Sequence, residues 1–136
     1  MAGYSGTPLA KKLGIKPGAT IFLSNAPANY AKLVALPQDV SLARRITATT
    51  DVIHLFSRSR QDLESGLKSA LKLMRPDAVV WVSWPKKSSG VATDITEDTI
   101  RDVALPMGLV DIKVCAVDGV WSGLKLVIRR SERGRS

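Results

Sequence analysis

Short apolar runs and segments of helical periodicity alternate along most of the chain. Runs rich in β-branched residues predict buried strands over residues 19–24, 51–56 and 78–84. The run over 78–84 is apolar at all but one position, so both of its faces are predicted to be covered, as in a parallel sheet. Residues 40–50 are ambiguous, because the segment suits either a short strand or a turn.

Start and stop signals predict helices between these strands. Thr7 is predicted to cap a short first helix, with Pro8 in its first position and Gly14 at its end. A second helix is predicted from about Pro27 to Leu36.

Two later helices have stronger start signals. Ser59 is predicted to cap the third helix, with Asp62 three residues further on as in a capping box. Thr96 is predicted to cap the fourth, and Ile95 and Ile100 have the spacing of a hydrophobic staple.

Two further strands are predicted over residues 109–117 and 120–129, and the Asp118-Gly119 pair between them is the strongest hairpin signal in the chain. Strands that alternate with helices favour parallel crossover connections. We therefore predict an α/β fold of three layers, with a mainly parallel sheet and a C-terminal antiparallel hairpin at or near one edge. Residues 1–128 form a single domain in this interpretation, and 129–136 form a basic tail that we expect to be frayed.

The composition excludes several kinds of protein. A chain of 136 residues with 45% hydrophobic residues fits one folded domain. One Cys and one His are too few for a structural zinc site, and a single Cys cannot form an internal disulfide. No apolar run approaches the roughly 20 residues of a membrane helix. The start of the chain lacks the apolar stretch of a signal peptide, so we expect a cytoplasmic protein with no membrane partner.

The net charge of +8 is unevenly distributed along the chain. The tail 129–136 carries four Arg and one Glu and so accounts for three of the eight charges. The remaining excess is ordinary for a soluble protein, so the charge by itself indicates an anionic partner only weakly. Several of the remaining cations nevertheless fall in loops that follow predicted strands.

The order of elements resembles the Rossmann-like fold of class I methyltransferases in a shortened form. Residues 73–83, LMRPDAVVWVS, resemble the helix, turn and apolar strand that occur in this order in that superfamily. Residues 16–21, KPGATI, resemble the entry to its first strand, and the C-terminal hairpin resembles its final antiparallel pair. The resemblance implies a three-layer Rossmann-like sandwich with a place for S-adenosylmethionine.

A narrower resemblance covers nearly the whole chain. Five segments are similar to those of a bacterial family of unknown function: GYSGTPLAKKLGI, LSNAP, VSWPKKSSG, DITEDTIRDVALPMGLVD and KVCAVDGVWSGLKLV. This resemblance implies a bacterial protein and brings no established activity with it.

Two positions depart from the methyltransferase pattern. That superfamily cradles its cofactor on a glycine-rich turn after the first strand, whereas residues 24–29 read SNAPAN. It also ends the second strand on an acidic residue that holds the ribose hydroxyls, whereas residues 40–50 contain no acid. We therefore expect no bound cofactor and keep S-adenosylmethionine as the alternative.

Polar and basic residues follow three of the predicted strands. Because ligands of open parallel sheets bind beyond the carboxyl ends of the strands, these residues form the candidate site. We predict that basic side chains, hydroxyls and the free amides of two helix starts bind an anionic ligand, for example a phosphorylated one. The predicted ligand-binding residues are Asn25, Asn29, Ser57, Arg58, Arg60, Trp84, Lys86 and Lys87. The competing interpretation is that these are ordinary solvated loops.

Other reactive residues also have structural interpretations. His54 is either a general base beside a residue such as Asp118 or a buried, hydrogen-bonded histidine, and we favour the second. Cys115 is interpreted as a small buried hydrophobe rather than a nucleophile. Trp121, like Trp84, either stacks on a ligand or packs at the rim of the sheet. No Ser/His/Asp or Cys/His motif is recognisable, so no catalytic residue is predicted.

These observations favour a non-catalytic, methyltransferase-like domain that binds an anionic small molecule or a protein partner, without a metal. The alternatives are a small S-adenosylmethionine-dependent methyltransferase with an altered cofactor loop, and a weak nucleic-acid-binding protein. The edge of the C-terminal hairpin can pair across a two-fold axis, so we also expect a homodimer.

Overall fold

A computed structural model describes residues 8–132 of the chain. Over these residues a six-stranded sheet lies between two layers of helices. The strands are β1 (Thr20–Ser24), β2 (Ser41–Ala43), β3 (Val52–Phe56), β4 (Val79–Pro85), β5 (Leu109–Ala116) and β6 (Trp121–Ile128). The helices are α1 (Leu9–Leu13), α2 (Tyr30–Val34), α3 (Arg60–Leu73) and α4 (Glu97–Ala104). None of these described helices has the length and apolar character needed to cross a membrane.

The strands are ordered β2-β1-β3-β4-β6-β5 across the sheet. The first four in this order are parallel to one another, whereas β6 is antiparallel to both β4 and β5. This arrangement confirms the predicted α/β fold, with its mainly parallel sheet and its antiparallel hairpin at one edge. The turn of the hairpin includes Asp118-Gly119, as predicted.

Apolar side chains fill the space on both faces of the sheet. On one face, α1 and α2 cover a core that contains Ile21 and Trp81. On the other face, α3 and α4 cover a core that contains Val80 and Leu124. The Trp81 indole donates a hydrogen bond of 2.9 Å to the Leu13 carbonyl oxygen and so ties the end of α1 to the sheet. Burial on both faces explains why β3 and β4 show no hydrophobic alternation in the sequence.

Three helix ends form as predicted. Gly14 ends α1 in the left-handed conformation, with a φ of 78°. Ser59 caps α3 by accepting a hydrogen bond from the Asp62 amide. Thr96 caps α4 in a reciprocal pair with Thr99. Short-range hydrogen bonding therefore decides where these helices begin and end.

The second helix is shorter than predicted. It begins at Tyr30 rather than at Pro27, and it ends at Val34 rather than at Leu36. The Tyr30 amide donates to the Pro27 carbonyl oxygen over 3.0 Å, so the residues expected to form the first helical turn form a separate turn before the helix. The helix ends early because Ala35 takes a left-handed conformation with a φ of 56°.

The first helix also begins later than predicted. It starts at Leu9, and Pro8 is the residue that precedes it rather than its first residue. The predicted cap, Thr7, lies outside the described residues.

The ambiguous stretch 40–50 contains the short edge strand β2. Its three side chains are exposed or half-buried, so no hydrophobic pattern marks them. Parallel pairing with β1 turns this segment into a strand. Its strand state is therefore decided by a neighbour in the fold rather than by its own residues.

At the opposite edge of the sheet lies β5. Ile112 and Val114 are 53% and 48% exposed there. The exposed Lys113 lies between them, and the strand register shifts between Asp111 and Lys113. A lysine and an irregular register in an edge strand both disfavour pairing with another strand. The homodimer through this hairpin stays a prediction.

The first residue of the basic tail is held by the domain. The Arg129 amide donates to the Gly108 carbonyl oxygen, and its guanidinium donates to the Leu105 carbonyl oxygen. A 3-10 turn over Arg130–Glu132 follows. The rest of the predicted tail, residues 133–136, lies outside the described residues.

Candidate functional site

Loops beyond the carboxyl ends of the parallel strands carry several of the predicted ligand-binding residues. Asn25 follows β1, Arg58 follows β3 and Lys86 follows β4. Asn29 lies in the loop between β1 and α2. All four side chains are at least partly exposed. We call the loops that follow β1, β2, β3 and β4 the carboxyl end of the sheet, and the loops that precede these strands its amino end.

Two predicted residues do not reach this surface. The Trp84 ring is buried in the core beneath α3 and α4. Ser57 is 5% exposed, and its amide donates to the Ser83 carbonyl oxygen. Because β3 and β4 are apolar on both faces, no alternation in the sequence shows which way a side chain near either strand end points. Neither residue is placed to hold a ligand.

The start of α3 is closed by the chain itself. The Asp62 amide donates to the Ser59 hydroxyl, and the Arg60 amide donates to the Asp94 carboxylate over 2.7 Å. The expectation that the amides of this helix start are free to bind an anion is therefore wrong for these two amides. A carboxylate from a distant loop already satisfies the positive end of the helix dipole.

The loop after β4 supplies that carboxylate by folding against α3. The Thr93 hydroxyl and the Asp94 amide both donate to the Arg58 carbonyl oxygen. This arrangement anchors the far end of the loop. At its near end Lys86 stays half-exposed and Lys87 stays exposed, so both ammonium groups remain at the carboxyl end of the sheet.

Arg58 and Arg60 differ in what they contact. The Arg58 guanidinium lies 5.9 Å from the centroid of the Trp121 ring, within the range of a cation–π interaction. Arg60 pairs with Glu64, with 3.5 Å between Nε and Oε2. Trp121 is itself buried and packs at the rim of the sheet, as in the structural interpretation of this residue.

A groove of about 440 Å³ opens at the carboxyl end, between α3 and the loop after β2. Phe22, Ile46 and Leu55 supply apolar surface to it. Its polar lining consists of Ser24, Asn25, Arg44, Arg45, Asp62, Ser65 and Ser69. Apolar surface with a few convergent polar groups is typical of small-molecule sites, which occupy about 300–1,000 Å³.

Arg44 and Arg45 were not among the ligand-binding residues predicted from the sequence. Both are exposed, and neither forms an ion pair within residues 8–132. They follow β2, and the hydrophobic pattern left open whether β2 is a strand. Their position at the carboxyl end could therefore not be predicted. The signal that could have found them is a pair of cations directly after a segment that suits a short strand.

The groove lies where the winding of the chain changes direction. In the sheet, β1 has β2 on one side and β3 on the other. The connection from β1 to β2 contains α2 and passes over one face, whereas Ile46, in the connection from β2 to β3, packs in the core of the other face. In open α/β sheets such a topological switch point is the usual place for a ligand.

His54 is buried and hydrogen-bonded, as in the interpretation that we favoured. Its Nδ1 is 2.8 Å from the Tyr30 hydroxyl, and its Nε2 is 2.7 Å from Ser83 Oγ. Burial lowers the pKa of His54 to about 3, so the ring is neutral at neutral pH, and burial also raises the pKa of Tyr30. Asp118, the partner considered for a general base, accepts hydrogen bonds from the amides of residues 120 and 121 instead. This network joins α2, β3 and β4 in the core, away from the groove.

Cys115 lies on β5 with a half-buried thiol. Burial raises its pKa above the ordinary value, although Lys12 and Lys113 act in the opposite direction. A raised pKa keeps the thiol protonated and weakly reactive at neutral pH. This agrees with the interpretation of Cys115 as a small hydrophobe.

Comparison with known proteins identifies a family. A family model described as a protein of unknown function, DUF3052, matches residues 38–130, which is more than half of the chain. No curated protein matches the sequence. The match confirms the resemblance to a family without an established activity.

Solved structures that share this fold include methyltransferases. A structure of an S-adenosylmethionine-dependent methyltransferase from Aquifex aeolicus is 13% identical over 87% of this chain and 86% of that chain, with a TM-score of 0.67. A putative type 11 methyltransferase from Sulfolobus solfataricus is 14% identical over 93% of each chain, with a TM-score of 0.61. Fibrillarin from Aeropyrum pernix, with natively bound S-adenosyl-L-methionine, is 12% identical over 92% of this chain and 70% of that chain, with a TM-score of 0.51. At these identities the similarity shows the fold alone, and it confirms the predicted methyltransferase-like architecture.

Proposed function

The chain belongs to the DUF3052 family, whose function is unknown, and we propose that it is a non-catalytic, methyltransferase-like domain that binds a small anionic ligand in the groove beside α3. The observation that carries this proposal is the pair Arg44 and Arg45 in the lining of the groove. Within residues 8–132 neither has an acidic partner, so both guanidinium groups are available to a ligand.

The lining of the groove suits a ligand with one anionic group and one apolar ring. Guanidinium groups bind phosphate or carboxylate through charge-assisted hydrogen bonds. The apolar surface of Phe22 and Leu55 offers contact to a ring, and Asp62 offers an acceptor for a hydroxyl or amino group of the same ligand. A phosphorylated compound of the size of a mononucleotide combines these features.

The chemistry of the lining residues supports binding rather than catalysis. The residues that line the groove include no histidine, cysteine, lysine or tyrosine. Three serine hydroxyls are present, but a serine needs an adjacent base to act as a nucleophile. His54, the one histidine of the chain, makes its hydrogen bonds in the core beneath α2.

S-adenosylmethionine is the alternative ligand that the fold suggests, and the residues at two positions do not fit it. Asn25 turns the chain after β1 without a glycine, and Ala26 packs against the core beneath α2. Arg44 follows β2, where an acidic residue would hold the ribose hydroxyls. An exposed arginine at that position favours a negatively charged group instead.

Titration calorimetry with uridine monophosphate and with inorganic pyrophosphate tests the proposal. We expect the double variant R44A/R45A to bind at least about tenfold more weakly, because each lost charge-assisted hydrogen bond contributes about 1.5–3 kcal/mol. The variant Ser69→Trp fills the groove from the exposed side of α3 and should lose binding without a change of charge.

The matched control is K11A/K16A, which removes the same charge from exposed positions outside the groove. We expect it to bind like the wild type. Since all four side chains are exposed, both double variants should keep their free energy of unfolding within about 0.5 kcal/mol of the wild type. Equal loss of binding in the two double variants, or no binding of either ligand to the wild type at low salt, would overturn the proposal. A parallel titration in which S-adenosylmethionine binds with unchanged affinity to R44A/R45A would support the alternative.

A further inference from the structure

Unpaired cations continue from the groove across the carboxyl end of the sheet. They follow three of the four parallel strands: Arg44 and Arg45 follow β2, Arg58 follows β3, and Lys86 and Lys87 follow β4. We call these five residues the cationic strip. In the sheet order β2-β1-β3-β4 it spans three strand spacings, which is about 14 Å at roughly 4.8 Å per spacing.

The charge of the strip is not neutralised by neighbouring carboxylates. None of its five members forms an ion pair within residues 8–132. The acidic residues nearby in sequence are Asp39, Asp51, Asp62, Glu64 and Asp94. Asp39 precedes β2 at the amino end, and Asp51 pairs with Arg75 there. Glu64 pairs with Arg60, and Asp94 accepts the hydrogen bond of the Arg60 amide, which leaves Asp62 in the groove as the exception.

We infer that the strip binds a single-stranded nucleic acid, with one end of the strand in the groove. This inference rests on the proposed function, because the groove would receive the terminal nucleotide. A row of cations suits a chain of regularly spaced phosphates, and an extended single strand places about three phosphates along about 14 Å. The apolar surface of Phe22 and Leu55 offers a place for one base. A single strand can supply an unstacked base to such a surface, whereas a duplex keeps its bases stacked.

Binding of fluorescein-labelled oligouridylates, measured by fluorescence anisotropy, tests the inference. We expect an oligomer of about four nucleotides, which has about three internucleotide phosphates, to bind at least about tenfold more tightly than one of about two, with little further gain at about eight, because the strip spans about three phosphates. A plot of log affinity against log salt concentration should have a slope of about −2 for the longer oligomers, from about 0.7 per neutralised phosphate.

Charge reversal distinguishes the effect of the strip on binding from the effect of the protein's net charge. We expect K86E/K87E to weaken binding of the longer oligomers by at least about tenfold and to make the salt slope shallower by about 1.4. The same variant should bind uridine monophosphate like the wild type, because neither lysine lines the groove. The matched control K11E/K16E changes the net charge equally from outside the strip and should keep the wild-type salt slope.

Three results would overturn the inference. The first is equal affinity for the shortest and longest oligomers, which would leave the groove proposal standing if uridine monophosphate still binds. The second is an equal loss in K11E/K16E and K86E/K87E. The third is binding of oligoglutamate as tight as that of the oligouridylates, which would indicate an acidic protein partner. Loss of uridine monophosphate binding with retained length-dependent oligouridylate binding would instead count against the groove alone.

Discussion

The two ends of the sheet differ in whether their cations are paired with carboxylates. At the amino end Arg75 lies between two carboxylates, 2.7 Å from Asp51 and 2.8 Å from Asp77. Asp51 also accepts a hydrogen bond of 2.8 Å from the Thr20 amide. At the carboxyl end the cations of the strip have no acidic partner within the part of the chain that the structure describes.

This difference separates residues that hold the fold from residues that are free to bind. The paired charges of the amino end connect the beginnings of β1, β3 and β4, so they contribute to stability. The unpaired charges of the carboxyl end contribute nothing comparable, because an exposed cation is already solvated by water. We therefore expect substitutions at the amino end to change unfolding, and substitutions at the carboxyl end to change ligand binding.

His54 lies in the core between the two ends and has the largest expected effect. Its pKa is about 3 in the folded chain against 6.5 for the ordinary group, so the unfolded state takes up a proton first as the pH falls below 6.5. At about 1.4 kcal/mol per pKa unit, the free energy of unfolding should fall by on the order of 4 kcal/mol between the two values. Urea denaturation from about pH 7 down to about pH 4 should show this slope in the wild type and a much smaller slope in His54→Gln.

The glutamine side chain can still form hydrogen bonds with Tyr30 and Ser83. The slope of the free energy of unfolding against pH can be measured whatever the substitution does to stability at neutral pH. An unchanged slope in His54→Gln would mean that carboxylates with lowered pKa values, such as Asp51 and Asp111, dominate the acid sensitivity. The buried His54 would then contribute little to the loss of stability in acid.

Asp51 at the amino end has the next largest effect. We expect Asp51→Asn to lower the free energy of unfolding by about 1–2 kcal/mol, because a charge-assisted hydrogen bond to Arg75 is lost from a partly exposed site. Burial acts to raise the pKa of Asp51, but hydrogen bonds from Thr20 and Arg75 outweigh it and the net pKa is lowered. The stabilisation is therefore present above the ordinary pKa and is lost as the pH falls through the lowered value, so variant and wild type should converge in acid.

The matched control at the amino end is Asp39→Asn, at an exposed aspartate outside any ion pair of the described residues. Asparagine also tolerates the left-handed backbone that Asp39 adopts, so we expect a change within about 0.5 kcal/mol. Both variants should bind uridine monophosphate like the wild type. Weaker binding in Asp51→Asn at the level of R44A/R45A would contradict the separation of the two ends.

Arg60 has the smallest expected effect and tests whether an acidic partner matters within the carboxyl end. It is a cation at that end, but it already pairs with Glu64 on the exposed surface of α3. We expect Arg60→Gln to change the free energy of unfolding by less than about 0.5 kcal/mol. Oligouridylate affinity should change less in Arg60→Gln than in Arg58→Gln, measured side by side by anisotropy. An equal loss of affinity in both variants would mean that a cation with an acidic partner contributes to binding as much as an unpaired one.

Helix caps and buried strands were predictable because their signals are local. The caps at Ser59 and Thr96 depend on hydrogen bonds to residues three positions away. The strand β4 was recognisable because it is apolar on both faces. For the same reason the sequence did not predict the face of the sheet on which the Trp84 side chain lies, because a strand without alternation gives no such signal.

The candidate site was predictable only in part. The position of Arg58 and Lys86 followed from the rule that loops after parallel strands meet at one end of the sheet. The place of Arg44 did not, because β2 has no hydrophobic pattern and becomes a strand only through its pairing with β1. The start of α3 was misjudged because Asp94, which binds the Arg60 amide, lies 34 residues away.

The α/β class, the parallel sheet with its C-terminal hairpin and the concentration of cations after strands could therefore all be predicted from the order of the residues. These properties depend on residue periodicity and on hydrogen bonds between near neighbours in the chain. Three outcomes appear only in the folded chain: which cations remain unpaired, which helix start is closed, and that two arginines after β2 line one groove with the serines of α3. Those outcomes depend on contacts between residues far apart in the chain, and such contacts form only once the sheet has assembled.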